Sequence, residues 1–594
     1  MFPVQCVAEA VPEPRKSDLW SPMKKSLLLC SALALSLLLS CSVPQNEDLK
    51  FEAFAKEYLD KLLEKNPELA TSLGEHRSDD RLSDYSQAGI QAQVQFQRQS
   101  VERLGQIEVS KLSAVNRLDF GILQSQIQSA LFQLENLREQ EWNPLFYNVG
   151  NAIYGLTARE FAPLKDRLKS VKARLKAIPA VLEAARVNLK NPPRVYTETA
   201  ILQNKGNVSL VREELKTFLD QVPELIPEFA SVQSQVIAAL ESYGVWLEKE
   251  LLPKSKGNFR IGENKFRDKL RYTLDSDLSI EEILRRAQAD LQKTQDELYE
   301  TARSLSKINT VETDPASKKK TIKAALDQLA ESRPTNETIV GLAKADLDEV
   351  IEFVRQQGLV TVPQEPVKII VMPEFQRGVA VAYCDSPGPL EKNGETFYSI
   401  SPTPSDWTQQ RVTSFFREYN NYMLKDLTIH EAMPGHYLQL AHSNKFKAPT
   451  PIRAIFSSGV FVEGWATYAE QLMAEKGYGG AEVKMQQLKM RLRLIINAIL
   501  DQKIHTAGMS EKEAIGLMMN EGFQEEGEAA GKWRRACLSS TQLSTYYVGN
   551  TEINEIRKAW EAKKGPIQDL KAFHDTVLSF GSPAPKHVRA LLGL

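Results

Sequence analysis

The chain has 594 residues, 42% hydrophobic and 25% charged, an ordinary globular balance in a chain long enough for a large core and more than one lobe. Its 74 basic and 76 acidic residues nearly cancel, so nothing in the charge argues for nucleic acid as a partner. The 29 prolines and 30 glycines are spread among long amphipathic stretches, which predicts a mainly α-helical protein.

From Met23 the sequence reads MKKSLLLCSALALSLLLSCS: two lysines, an apolar run broken by small residues, then Leu38-Leu39-Ser40-Cys41. A basic start followed by a short apolar run is a secretory signal. The Leu-x-Ser-Cys end resembles a bacterial lipobox, in which the cysteine becomes the lipidated first residue of the mature chain. Residues 1–41 are therefore read as a signal and lipobox segment with translation starting at Met23 and Cys41 carrying the lipid. Ser42 is not the aspartate that retains such proteins in the inner membrane. The expected location is the bacterial cell envelope, lipid-anchored in the outer membrane and facing the periplasm. Cys6 and Cys30 fall in the removed segment. Cys384 and Cys537 lack C-x-x-C spacing and read as two buried thiols rather than metal ligands, although an oxidising compartment permits a disulfide.

After a polar tether, Phe51, Phe54, Tyr58, Leu62 and Leu63 recur at helical spacing, and helical pattern continues to about residue 250. The loop PKSKGN then suggests a boundary between an N-terminal helical lobe, 42–257, and a C-terminal lobe, 258–594. Between 366 and 402 the runs VKIIVM, VAVAYC and TFYSIS are rich in β-branched and aromatic residues and separated by turn formers. They predict a small antiparallel sheet just upstream of the candidate site. Helices resume with SDWTQQRVTSFFREYNNYMLKDLTIHEAM, and Ser510 with Glu513 predicts a capping box.

The chemistry concentrates in TIHEAMPGHYLQLAH. In H-E-x-x-H, two histidines one helical turn apart grip a metal. Here His430 and His436 are six residues apart. On an unbroken helix at about 100° per residue, that turns the second imidazole roughly 120° away from the first. Pro434 and Gly435 can repair the spacing. Proline has no N–H and its ring clashes with the carbonyl four residues back, that of His430. Glycine tolerates conformations closed to other residues. Together they can loop out two residues or break the helix so that His436 returns to the metal. An interior proline costs a helix on the order of 3 kcal/mol, and metal binding can offset it.

A hydrolytic zinc site needs three protein ligands, an open position for water and a carboxylate to take the water's proton. Glu431, directly after the first histidine, stands where the base belongs. The third ligand is expected on a following helix, where Glu463 lies 27 residues after His436 in SSGVFVEGWATYAEQLMAEKGY. Glu470, two turns further on the same face, and His442 are the rivals. The metzincin spacing of a third histidine does not hold here.

At these residues the sequence resembles the DUF885 proteins, a bacterial family often found as lipoproteins, within the wider gluzincin metallopeptidase group. HEAMPGHYLQL (430–440) and VEGWATYAEQL (462–472) look like its two metal-site motifs. RLKAIPAVLEAARVNLKNPP, FRIGENKFRDKLRYTL, QLSTYYVG and FHDTVLSFGSPAP resemble its flanking signatures. The resemblance implies one Zn²⁺ per chain held by His430, His436 and Glu463, Glu431 as base, and a largely helical, gluzincin-like fold in two lobes around a deep cleft.

Zinc peptidases stabilise the tetrahedral oxyanion with a donor opposite the water, often Tyr or His. Tyr546, in the QLSTYYVG stretch, is the candidate. Tyr547 would face elsewhere on a helix. His505 follows Asp501 by one turn, so the pair could form a charge-assisted hydrogen bond in the cleft wall. His76, His574 and His587 read as surface or packing residues. The expected function is a zinc-dependent hydrolase cleaving peptides. The alternatives are a zinc amidase or esterase on small non-peptide substrates, or an inactive binding lipoprotein.

Overall fold

The first described helix, Glu47–Lys65, forms where the apolar spacing predicts it, and Phe51, Phe54, Tyr58, Leu62 and Leu63 are all buried on one face. The computed structural model describes residues 46–372, 381–391 and 394–594, of which 47–594 form one compact unit. The signal and lipobox segment, Cys41 included, lies outside the described residues. No helix among the described residues is long and apolar enough to cross a membrane. Up to residue 252 the architecture is helix on helix. The helices Leu164–Asn188, Arg194–Ser209 and Ile226–Trp246 share a core built on Leu168, Leu175, Phe229 and Leu240. At the expected lobe boundary, Gly257 N–H donates to Pro192 O at 3.1 Å.

The C-terminal part carries the elements that build the site. Helices α1 (Ile280–Leu305) and α2 (Ile339–Gln356) lead into strands β1 (Val367–Val371), β2 (Ala382–Asp385) and β3 (Thr396–Ile400). There follow α3 (Asn421–Glu431), α4 (His436–Ser443), α5 (Gly459–Glu475), α6 (Gly480–Ala507), α7 (Glu526–Leu538), α8 (Ser544–Lys564) and α9 (Leu570–Leu578). The predicted capping box is present, with Ser510 and Glu513 bonded reciprocally at the helix Glu511–Gly522.

The sheet corrects one expectation. Its strand order is β1-β3-β2, with β3 parallel to β1 and antiparallel to β2, so it is mixed rather than antiparallel. The antiparallel reading assumed that neighbours in sequence pair. Instead β3, with Tyr398 and Ile400 fully buried, takes the centre, and β1, which is largely half-exposed or exposed, is left at an edge. The Tyr398 and Thr428 hydroxyls, 3.0 Å apart, tie the sheet to α3.

Helix α6 is buried on most of its surface and contacts α1, α3, α5 and α8. A helix enclosed on all sides belongs to the middle of a large core. Helices α5 and α8 cross at Gly464 and Gly549, where a Cβ on either would overlap the other's backbone. This contact brings the start of α5, which carries Glu463, next to the first turns of α8, which carry Tyr546.

Candidate metal centre

Helix α3 starts cleanly: the Asn420 side chain accepts from the backbone N–H groups of Tyr422 and Met423. It holds His430 and Glu431 in its last turn. Ala432 then leaves helical geometry at φ −120° and ψ −81°, the Met433–Pro434 peptide is cis, and α4 opens at His436. The helix is therefore broken rather than bulged. Gly435 N–H donates to Ile429 O at 2.9 Å, folding the turn back over the end of α3. A Cβ at position 435 would overlap the carbonyl oxygens of Ile429 and His430, so only glycine fits this close approach. Trp465 on α5 donates its indole N–H to Pro434 O at 2.8 Å and fixes the turn from the other side. The two imidazoles end 4.6 Å apart between ring centroids at an interplanar angle of 86°. The six-residue spacing is repaired.

Glu463 completes the cluster. Its Oε2 lies 3.6 Å from His430 Nε2 and 3.4 Å from His436 Nε2. Both separations exceed the roughly 2.7–3.2 Å of an N–H···O hydrogen bond. Ligand atoms at about 2.0–2.1 Å from a tetrahedral ion stand about 3.3–3.4 Å apart, which matches them. The same Oε2 is buried without a hydrogen-bond partner among the described residues. An orphaned carboxylate oxygen facing two imidazole nitrogens fits a divalent metal. Burial alone would raise the Glu463 carboxyl, but the facing His430 and His436 imidazoles more than reverse this and hold it well below the usual range.

Behind the ligands stands Glu470, whose Oε1 is 2.5 Å from His430 Nδ1. It contacts the His430 nitrogen opposite the one that faces Glu463, where a carboxylate can orient the imidazole, and it stands outside the His430–His436–Glu463 group. His442 is also excluded from the cluster, since its Nε2 is spent on Thr361 O at 2.8 Å. Asp426, one turn before His430, has both carboxylate oxygens buried without hydrogen bonds. Burial, reinforced by the charge of Glu470, raises it well above the usual carboxylate range.

Glu431 is half-buried and accepts from the Cys384 backbone N–H at 3.1 Å, so the edge strand β2 positions the candidate base. Burial raises its carboxyl, opposed by the charges of His430 and His436. Cys384 and Cys537 are both free thiols and the permitted disulfide does not form; Cys537 is buried as expected, whereas Cys384 is only half-buried. Burial and the nearby Glu431 push the Cys384 thiol far up, which removes it as a nucleophile. A cavity of about 250 Å³ opens beside Cys384 and is lined by Ser386, Leu440, Asn444 and Ser457 among others.

Tyr546 is half-buried on α8, and its hydroxyl accepts from Arg535 at 3.0 Å and Gln542 at 3.3 Å. Burial and the charge of Glu463 raise its pKa, so the hydroxyl keeps a proton to donate. Tyr547 points away and donates to Asp290 at 2.7 Å. The Asp501–His505 pair does not form. Asp501 accepts instead from Thr541 and Ser544, while the His505 Nε2–H faces the carbonyls of Ala536 and Ser539. His505 is stacked on Phe266 and belongs to the packing rather than to a cleft wall. His76 bonds to Asp79 and Glu391, His574 to Leu359 O and Tyr468, and His587 to Asp275, all apart from the metal cluster.

Sequence reasoning missed Arg535, Asp426 and the Cys384 N–H. Asp426, one turn before His430, was legible from helical spacing all the same; Arg535 sits far from the motif, and a backbone donor carries no residue signature. Only the basic KWRR run shortly before QLSTYY could have drawn attention to Arg535.

Among solved structures, the chain is similar to one from Shewanella oneidensis described as "a putative lipoprotein of unknown function", with 34% identity and a TM-score of 0.77 over 92% of this chain and 100% of that one. It is also similar to "the putative lipoprotein from Colwellia psychrerythraea", with a TM-score of 0.75 over 92% of this chain and 99% of that one; at 18% identity that likeness concerns the fold alone. No curated protein matches the chain. Residues 67–592 match the family described as bacterial protein of unknown function, DUF885, and the chain belongs to that family.

Proposed function

We propose that the protein is a zinc-dependent hydrolase of gluzincin type that cleaves peptides, its two lobes flanking the cleft that holds the metal. The observation that carries this reading is the donor trio His430, His436 and Glu463 with Glu431 beside it. A binding protein has no use for the base. When bound, the metal polarises the scissile carbonyl and lowers the pKa of the attacking water.

The chain's own residues do the rest. Glu470 fixes the tautomer and orientation of His430. Glu431, with Oε2 held by the Cys384 N–H, accepts the water's proton and delivers it to the leaving amine. Tyr546 accepts from Arg535 and Gln542 through its lone pairs, which leaves its O–H to donate to the developing oxyanion. The Leu-x-Ser-Cys signature, together with the lipoprotein description of the Shewanella oneidensis relative, supports a lipid anchor at Cys41, which we place in the outer membrane, facing the periplasm.

The test is hydrolysis of a mixed peptide library by the zinc-loaded protein, with Glu431→Gln as control. Cleavage lost in the control supports the reading. Turnover confined to small amides or esters would transfer the same site to an amidase or esterase, and no turnover of any class would leave a binding lipoprotein.

A further inference from the structure

Next to the metal centre lies a buried cluster in which positive charge outnumbers negative. Glu418 binds Lys489 at 2.9 Å and Arg493 at 2.6 Å. Glu528, on α7, is 3.5 Å from Arg493 and accepts from the Tyr419 hydroxyl at 3.1 Å. These two carboxylates are thus already engaged. Two further cations on α7 share what remains. Lys532, with its side chain 8% exposed, has one contact to a carboxylate, 3.9 Å from Glu528, and makes no hydrogen bond among the described residues. Arg535 has no carboxylate within 4.0 Å among the described residues, and its Nη2 hydrogen bonds go to the neutral Gln542 and Tyr546.

Lys532 and Arg535 are three residues apart on one helix, so their side chains share a face. Arg535 reaches the Tyr546 hydroxyl, and both Arg535 and Tyr546 feel the charge of Glu463. Arg535 thus connects the Lys532 face of α7 to the candidate oxyanion donor. Charge that is buried and only weakly paired is costly, and a ligand carboxylate would supply the missing counter-charge. Burial lowers the Lys532 ammonium to about 7, with Glu528 only partly opposing it.

We infer that Lys532 and Arg535 form a carboxylate-binding subsite that selects peptides carrying an anionic group close to the scissile bond. This rests on the peptidase reading above and narrows it. The carboxylate is either the substrate's free C-terminus or an acidic side chain near it.

The probes are the free acid and the C-terminal amide of one peptide that lacks acidic residues, and a third peptide in which the last residue of that amide is replaced by glutamate. Binding to the zinc-loaded Glu431→Gln protein is measured by calorimetry, and kcat/KM is measured on the wild type. A charge-assisted contact predicts that the free acid, or the glutamyl amide, is favoured over the plain amide by roughly 10- to 100-fold. Preference for the free acid assigns the subsite to a C-terminus, and preference for the glutamyl amide assigns it to a side chain. Lys532→Met should bring the ratio to within about threefold, while Lys532→Arg keeps the preference because it keeps the charge. Equal binding and cleavage of all three peptides by the wild type overturns the inference while leaving the peptidase intact. Selective binding of the anionic peptides without cleavage by the wild type overturns the peptidase and leaves the subsite standing.

Discussion

His430 Nδ1 and Glu470 Oε1 lie 2.5 Å apart, on helices α3 and α5, and this contact aims His430 Nε2 at Glu463. A carboxylate behind a metal-binding imidazole fixes its tautomer and raises its basicity, and loss of such a partner typically weakens metal affinity by about 10- to 100-fold. Glu470→Gln should therefore bind zinc more weakly by about that factor in a competition titration with a chelator. Complete loss of zinc would make Glu470 a ligand, and unchanged affinity would reduce the contact to packing.

The ligand set itself is tested by elemental analysis. His430→Ala, His436→Ala and Glu463→Ala should each lose the metal, and His442→Ala should retain one zinc per chain. Retention in Glu463→Ala with loss in His442→Ala would reverse the assignment.

Gly435→Ala probes the turn rather than the ligands. An alanine Cβ would overlap the carbonyl oxygens of Ile429 and His430, so the turn must shift and His436 with it. The variant should fold, because the clash is local, yet bind zinc at least tenfold more weakly, since ligand geometry tolerates only about 0.5 Å of displacement. Wild-type affinity in this variant would mean that the turn has slack and that glycine is not what positions His436.

These tests bear on different amounts of sequence information. The pairing of His430 with His436 was legible because Pro434 and Gly435 are the two residues that can break a helix in that register. Glu463 was legible as an acidic residue on the next helix, with rivals that spacing alone could not remove. Glu470 was visible as a neighbour of Glu463, but its role behind His430 depends on how α3 and α5 cross. The placement of Tyr546 beside Glu463 depends on the Gly464–Gly549 contact, which joins residues 85 positions apart. The mixed sheet was hidden for a similar reason, because which strand takes the centre is decided by packing on α3 rather than by any run's composition.

Two histidines away from the site give the fold a pH dependence. Burial lowers both His505 and His574 to about 4, only partly opposed by the backbone carbonyls to which each donates. The unfolded chain binds a proton at each near pH 6.5, whereas the folded chain does so only near pH 4. The stability they contribute is present above about pH 6.5 and is lost as pH falls towards 4, by roughly 3 kcal/mol per histidine. Thermal midpoints followed from pH 7.5 to 4 should fall across that window, and His574→Gln should fall less steeply than the wild type. An identical slope in the variant would remove His574 from the account.

The last prediction separates two adjacent tyrosines. Tyr546 hydroxyl accepts from Arg535 and Gln542 near Glu463, while Tyr547 hydroxyl donates to Asp290 on α1. If Tyr546 donates to the oxyanion, Tyr546→Phe removes an interaction made mainly in the transition state and leaves ring packing and metal ligands in place. Removing one such donor typically costs about 3–4 kcal/mol, or roughly two to three orders of magnitude in turnover. The expected pattern is a large fall in kcat, little change in KM and full zinc occupancy. Tyr547→Phe should instead lose some stability, through the broken bond to Asp290, with kcat close to wild type. A Tyr546→Phe enzyme within threefold of wild type would return that residue to packing, and a collapse of kcat in Tyr547→Phe would mean that α8 presents its other face to the substrate.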